Sequence, residues 1–177
     1  MQSGNETMFQ AGMQSGPQLE LELISSHARF SGRVNLGAYS RLSDLLNFHD
    51  DVLTVTNGVV LTRSGFPSAD EASQLDIRLP DLTLVIDRSG HVPPAPDGEQ
   101  MVEKREHRML AVTDAHVITA TFFIYAGAEA TPYLRASEPR WIPVTNVRVR
   151  SLVDRRIKYG ANFAVLHRKP MLAYSVI

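Results

Sequence analysis

The chain has 177 residues, 44% of them hydrophobic, and carries 18 Lys and Arg against 19 Asp and Glu for a net charge of -1. That length buries one real core, or two small ones of roughly 70 to 80 residues each. Zero cysteines exclude a disulfide framework, a thiolate nucleophile and a cysteine-ligated zinc or iron-sulfur centre. Every apolar run falls short of the roughly 18 residues of a membrane helix, and the N-terminus lacks the charged and apolar regions of a signal peptide, so a cytoplasmic protein with no membrane partner is expected.

Residues 1–17 repeat Met-Gln-Ser-Gly and show neither helical nor strand period; they read as a flexible tail. Leu19, Leu21 and Leu23 then alternate with Glu20 and Glu22, the pattern of a half-buried strand. Phe30, Gly32, Val34 and Leu36 alternate in turn with Ser31, Arg33 and Asn35. Two strands with one wet face imply an antiparallel sheet. From Ser40 to Asn47 the period changes: Leu42, Leu45 and Leu46 sit at helical spacing, Ser40 is placed to cap and Asn47 to end the turn. A short helix plugging one end of a small sheet is the reading.

Val52–Thr62 is rich in Val, Leu and Thr and forms the next strand region. Asn57-Gly58 at its centre fits a hairpin turn, or a bulge in one long strand; the second is slightly preferred. Residues 63–76 are polar and read as a loop. Leu82–Asp87 is a strand, Ser89-Gly90 a tight turn and His91-Val92 the start of a return strand. Pro93, Pro94 and Pro96 mark an extended spacer, 93–105.

Beyond the spacer the plan starts again. Leu21–Phe30 lines up with Met109–Ile118, 88 residues on, and Val52–Asn57 with Trp141–Asn146, 89 residues on. Glu106–Val112 and His116–Tyr125 repeat the first two strands, Thr131–Ser137 occupies the place of the helix, Trp141–Ser151 is a strand, 152–162 a basic loop, and Phe163–His167 with Met171–Ile177 a closing hairpin matching that of the first half. The expected fold is therefore all-β with short helices: a tandem duplication of a small SH3-like, five-stranded antiparallel barrel, at residues 18–92 and 106–177. Phe30-Ser31-Gly32-Arg33-Val34 followed by Leu42–Asn47 resembles the first motif of Sm-like proteins, in which a glycine-bearing strand precedes an aspartate and an asparagine, here Asp44 and Asn47. The pattern around Arg41-Leu42-Ser43-Asp44-Leu45-Leu46-Asn47 is also similar to an uncharacterised prokaryotic domain family. Neither resemblance implies an activity.

No phosphate loop, nucleophile elbow, zincin helix or calcium loop occurs. His49-Asp50-Asp51 has metal-ligand residue types without further converging ligands and reads as a solvated loop, so no catalytic residue, metal or cofactor is expected. Ile118, Phe122 and Ile124 fill one face of their strand while Phe123 and Tyr125 fill the other, and a strand apolar on both faces is covered on both. Phe123, Tyr125 and Trp141 are the candidate interface residues, Trp141 being weighed also as core of the second barrel. Charge is unevenly spread: residues 1–92 hold six Arg against eleven acids, -5, while residues 93–177 hold twelve Lys and Arg against eight acids, +4. Arg148, Arg150, Arg155, Arg156, Lys158, Arg168 and Lys169 form a basic cluster near Trp141 and Tyr159. It reads as a site for RNA, single-stranded DNA or another polyanion, or as a solvated face or a dock for the acidic half. The leading expectation is a non-enzymatic structural or regulatory protein that associates with itself as a homo-oligomer or with another protein; the alternative is a nucleic-acid or polyanion binder.

Overall fold

The computed structural model describes residues 16–49, 51–62, 66–91 and 103–177. The expected tail, apart from Gly16-Pro17, most of the spacer, and Asp50 of the His-Asp-Asp cluster lie outside the described residues. The elements are β1 Gln18–Ser25, β2 Arg29–Asn35, α1 Leu42–Phe48, β3 Val52–Leu61, β4 Pro67–Arg78, a 3-10 turn Leu79–Asp81, β5 Leu82–Asp87, β6 Lys104–Val112, β7 His116–Tyr125, α2 Ala130–Arg135, β8 Trp141–Ser151, β9 Lys158–His167 and β10 Ala173–Val176.

The ten strands of the described residues belong to one open antiparallel sheet in the order β10-β6-β7-β8-β9-β5-β1-β2-β3-β4. The chain is all-β, as its alternation predicts, and the strands of its two halves run on into one continuous sheet. Its halves meet where β5 pairs with β9, through Leu84↔Leu166, Val85↔Val165 and Ile86↔Ala164. Among the described residues, strands β4 and β10 end the sheet and are paired on one side only.

Two clusters of side chains form the core, and they exchange residues at that seam. Inward residues of β1 to β5 join Leu42, Leu45 and Leu46 of α1 in the first cluster, which also receives Trp141 from β8 and Val165 from β9. The second holds the inward residues of β6 to β9 and Leu134 of α2, together with Ile24, Leu84 and Ile86 from the first half. Successive side chains of a strand point to opposite faces, so Val85 and Val165 enter one cluster while Leu84, Ile86, Ala164 and Leu166 enter the other. The two cores thus lie on opposite faces of the sheet at the seam. This is why Leu82–Ile86 and Ala164–Leu166 are buried throughout and apolar apart from Thr83.

Several local expectations change. Residues 67–76, read as loop, belong to β4, which pairs with β3 over nearly its whole length. An edge strand keeps its outward side chains in water, so Asp70, Glu71 and Asp76 gave it a loop-like composition. The closing hairpin of the second half does not form: β9 pairs with β8 and β5, and β10 returns to β6; in the first half β5 pairs with β1 and β9, and Val92 of its expected return strand lies outside the described residues. The basic loop is shorter than expected because β9 already begins at Lys158. Helix α1 takes Arg41 as its N-cap with no side-chain capping bond, so Ser40 does not cap it, although its three leucines are buried as the spacing required. Asn57 adopts φ 51° inside β3, making the Asn-Gly pair a bulge in one long strand. Asn146 takes φ 52° in β8, so Val147 escapes the left-handed conformation that would strain it.

Candidate association surfaces

The interface expected at Phe123 and Tyr125 is on the outer face of β7. Phe123 is 38% exposed and Tyr125 58% exposed; Glu106 lies opposite Phe123 on β6, and the Lys104 ammonium sits 5.4 Å from the Tyr125 ring centroid. On the inner face, Phe122 stacks on Tyr133 of α2 at 5.7 Å. A second apolar region follows the last strand, where Leu172, Tyr174, Val176 and Ile177 are all exposed.

Trp141 is not on that surface. It is 1% exposed, packed in the first core and stacked on His167 at 4.4 Å. It is core, as one reading held, but core of the other half. Asn47 holds it there: its side-chain amide donates to the Trp141 carbonyl at 3.0 Å and accepts from the Trp141 N–H at 2.9 Å. Arg140 adds an ion pair to Asp51 at 3.5 Å and a bond to the Asn47 carbonyl at 3.3 Å. Asn47, expected to end a helix, is therefore a clamp between the halves.

The basic cluster is divided. Arg148 and Arg150 are exposed on β8, and Lys158 on β9 lies directly opposite Arg150. Arg155 is exposed in the preceding loop and Lys169 at the turn after β9. Arg156 is bound to Asp154 at 2.9 Å, which holds that carboxyl below its ordinary range. Arg168 leaves the cluster altogether: it is buried, donates to the carbonyls of Pro139, Tyr133 and Leu134, and stacks on the Tyr133 ring. Its chemistry is that of a bracket for α2. Burial draws its pKa down despite the favourable Tyr133 contact. Trp141 is too deep to stack on a base, and Tyr159 is covered by the Arg29 guanidinium at 4.4 Å, so the aromatic partners expected for single strands are absent from this face.

A charged junction escaped the sequence reading. Glu22 of β1 accepts from Arg29 of β2 and from Arg88 after β5, the latter at 2.6 and 3.0 Å. Arg88 also reaches the Gly160 carbonyl of β9 at 3.3 Å, and Arg29 lies on the Tyr159 ring. Burial pushes the Glu22 carboxyl up, but the bonds from Arg29 and Arg88 outweigh it and hold it below the usual range. Burial raises the Tyr159 phenol and lowers the His116 imidazole that meets its ring edge-on. No sequence signal separates Glu22 from Glu20 on the same strand face; their side chains are 10% and 59% exposed. Packing of the second half over β1 makes the difference.

This junction fits adhesion between the halves better than catalysis. The adjoining cleft, bounded by His27, Ala115 and Ile157, measures about 20 Å³, room for about one water. A wider groove of about 450 Å³ on the outer face of the first half is large enough for a ligand. Its charged groups are already committed, Glu20 to Arg33 and Glu22 to Arg88. Among the described residues no group of three or more His, Asp and Glu is placed to hold a metal ion, and no helix is long and apolar enough to cross a membrane. Compared with protein-family models, curated proteins and solved structures, the chain matches none.

Proposed function

We propose that this is a non-enzymatic structural or regulatory protein of the cytoplasm that works by association, built as a tandem duplication of a small, curled five-stranded antiparallel unit of the SH3-like kind. The observation that carries the association reading is apolar surface on ordered strands: Phe123 and Tyr125 on β7, and the run from Leu172 to Ile177 along the last strand. Patches of this sort on regular structure mark interaction sites. Light scattering on size-separated, nuclease-treated protein tests it. A discrete oligomer or a stoichiometric protein complex with no absorbance at about 260 nm beyond that of the protein itself is expected, and Phe123→Ser with Tyr125→Ser separates the β7 face from the sheet edges. A chain that stays single at high concentration and low salt and retains no protein partner would sink the reading.

The duplication is supported by matching irregularities. Ordinary strand alternation predicts no particular bulge, yet the β2–β3 ladder shifts between Ser31 and Arg33 and the β7–β8 ladder between Thr119 and Thr121, 88 residues on. Gly58↔Ala72 corresponds to Val147↔Ala161, 89 residues on. Sizes compensate at this point. A Cβ on Gly58 would lie 2.6 Å from the Leu75 Cβ, whereas at the matching places Val147 shares its core with Ala164. Gly58→Val alone is expected to lose about 1–3 kcal/mol through overpacking, and Leu75→Gly in the same chain, which removes the clashing Cβ, should recover part of it. Chemical denaturation of the two single variants and the double decides: strictly additive losses would mean the two halves do not share this packing solution.

Like charges directly opposite on neighbouring strands repel, and Arg150 faces Lys158 with Arg148 two residues away; among the described residues none of the three has an ion-pair partner. A bound polyanion, such as RNA or single-stranded DNA, would relieve that repulsion. Three phosphate contacts predict a log–log salt slope of about -2 for a single strand. Fluorescence anisotropy with a labelled oligonucleotide measures it, and Arg148→Glu with Arg150→Glu should abolish binding. Unchanged affinity in that variant, or affinity indifferent to salt, would remove the reading.

A further inference from the structure

We infer that the two ends of the sheet are the two sides of one intermolecular contact, with β10 of one chain adding to β4 of the next. The inference rests on the association reading and names its partner, a second copy of this chain. Along the sheet the first half runs β5-β1-β2-β3-β4 and the second β10-β6-β7-β8-β9. The seam joins the last strand of the second series, β9, to the first strand of the first, β5. Among the described residues the open edges are β4, which stands where β9 stands, and β10, which stands where β5 stands. The ends therefore present the same pair of edges that already meet within the chain.

Backbone bonds fix the correspondence. The Leu79 N–H donates to the Asp51 carbonyl at 2.8 Å and the Arg168 N–H to the Arg140 carbonyl at 2.9 Å, setting β4 on β9 with a shift of 89 residues. The Arg88 N–H donates to Glu20 at 2.8 Å and the Ile177 N–H to Arg108 at 3.0 Å, setting β10 on β5 with the same shift. Carried across, the seam pairs become Ala173 with Ile77, Tyr174 with Asp76 and Ser175 with Leu75 of the neighbouring chain. Donors alternate sides along an antiparallel strand. With Ile177 and Leu79 directed inward, the N–H groups of Tyr174 and Asp76 face the open edges.

Burial and charge agree. Strand β5, flanked on both sides, is buried from Leu82 to Ile86, whereas β10, flanked on one, exposes all four residues. The seam needs only three residue pairs, so β10 is long enough. Strand β4 carries Asp70, Glu71 and Asp76 against Arg78, and β6, next to β10, carries Lys104, Arg105 and Arg108 against Glu106, so the two ends of the sheet differ in net sign; opposite signs favour head-to-tail pairing over β4 with β4 or β10 with β10. At the ends Val52 stands in place of Trp141 and Ala136 in place of Asn47, so the contact lacks the anchor and the clamp of the seam and is reversible. Such a contact closes into a ring or runs on as a filament.

The test uses the full chain, whose lack of cysteine makes introduced thiols unambiguous. Asp76→Cys and Tyr174→Cys chains are oxidised separately and mixed; paired residues on adjacent strands lie within disulfide reach, about 5.5 Å between Cα atoms. Covalent dimers from the mixture and from neither chain alone are expected. Tyr174→Pro removes only an edge-facing donor, which edge strands tolerate, and should reduce the scattering mass to that of one chain with the circular dichroism spectrum retained. Oligomers unaffected by Tyr174→Pro and uncrosslinked in the mixture overturn the edge contact but leave association standing. Dimers from either cysteine chain alone overturn the head-to-tail arrangement. A wild-type chain that is single at every concentration overturns the edge contact, and if it captures another protein the association reading survives without it.

Discussion

Trp141→Ala is expected to lower the unfolding free energy by about 3–5 kcal/mol, the cost of deleting a fully buried aromatic side chain from a core that cannot collapse around the hole. Collapse is prevented from both directions. The Asn47 amide continues to grip the backbone of residue 141, because both bonds go to main-chain atoms. His167 on the far side of the indole is held by its Nδ1 contact to the Leu82 carbonyl at 3.0 Å. The residue belongs to β8 of the second half and fills the core of the first, so the loss should appear in both halves together. Guanidinium denaturation followed by far-UV circular dichroism should give one transition in the wild type and one, earlier, in the variant; the indole is the single tryptophan of the chain, so its own fluorescence serves only for the wild type. A change below about 1 kcal/mol, or a first half that unfolds unchanged while the second is weakened, would mean that the halves are not joined through this side chain.

Legibility of the fold from sequence follows whether a residue's environment is set by its own strand or by something brought from afar. Leu42, Leu45 and Leu46 announced α1 because 3.6-residue spacing is a local property, and Leu19, Leu21 and Leu23 announced β1 for the same reason. Leu82–Asp87 and Phe163–His167 were legible as strands, but not that the two pair with each other. Alternation states that Trp141 points inward without stating whose interior it enters. Strand β4 was hidden because an edge strand dissolves half its side chains in water and borrows a loop's composition. Of the candidate association surfaces, Phe123 and Tyr125 were visible as a second apolar face, whereas the open edges are a property of strand order, which no single stretch of sequence encodes. Arg168 was misplaced because a basic residue beside a turn looks solvated until three carbonyls are found around it.

Glu22→Leu is expected to cost about 3–5 kcal/mol at neutral pH, since it leaves the Arg29 guanidinium buried without its carboxylate. Arg88 is half exposed and can turn to water, so Arg29 bears most of the penalty. The second half supplies the remedy: the positions matching Glu22 and Arg29 are Leu110 and Val117, an apolar solution to the same place in the sheet. Glu22→Leu with Arg29→Val should therefore return to within about 1 kcal/mol of the wild type, because exchanging a buried ion pair for packed hydrophobes is often neutral or better. The acid limb gives an independent check. The folded Glu22 carboxyl titrates below its unfolded value of 4.5, so its contribution is complete above that value and is lost as the pH falls through the folded pKa. The gap between wild type and Glu22→Leu should then be widest near about pH 7 and narrow steadily below about pH 4.5. Urea denaturation of the three proteins across that range measures it; a gap independent of pH, or a double variant no better than the single, would show that the junction is held by something other than this ion pair.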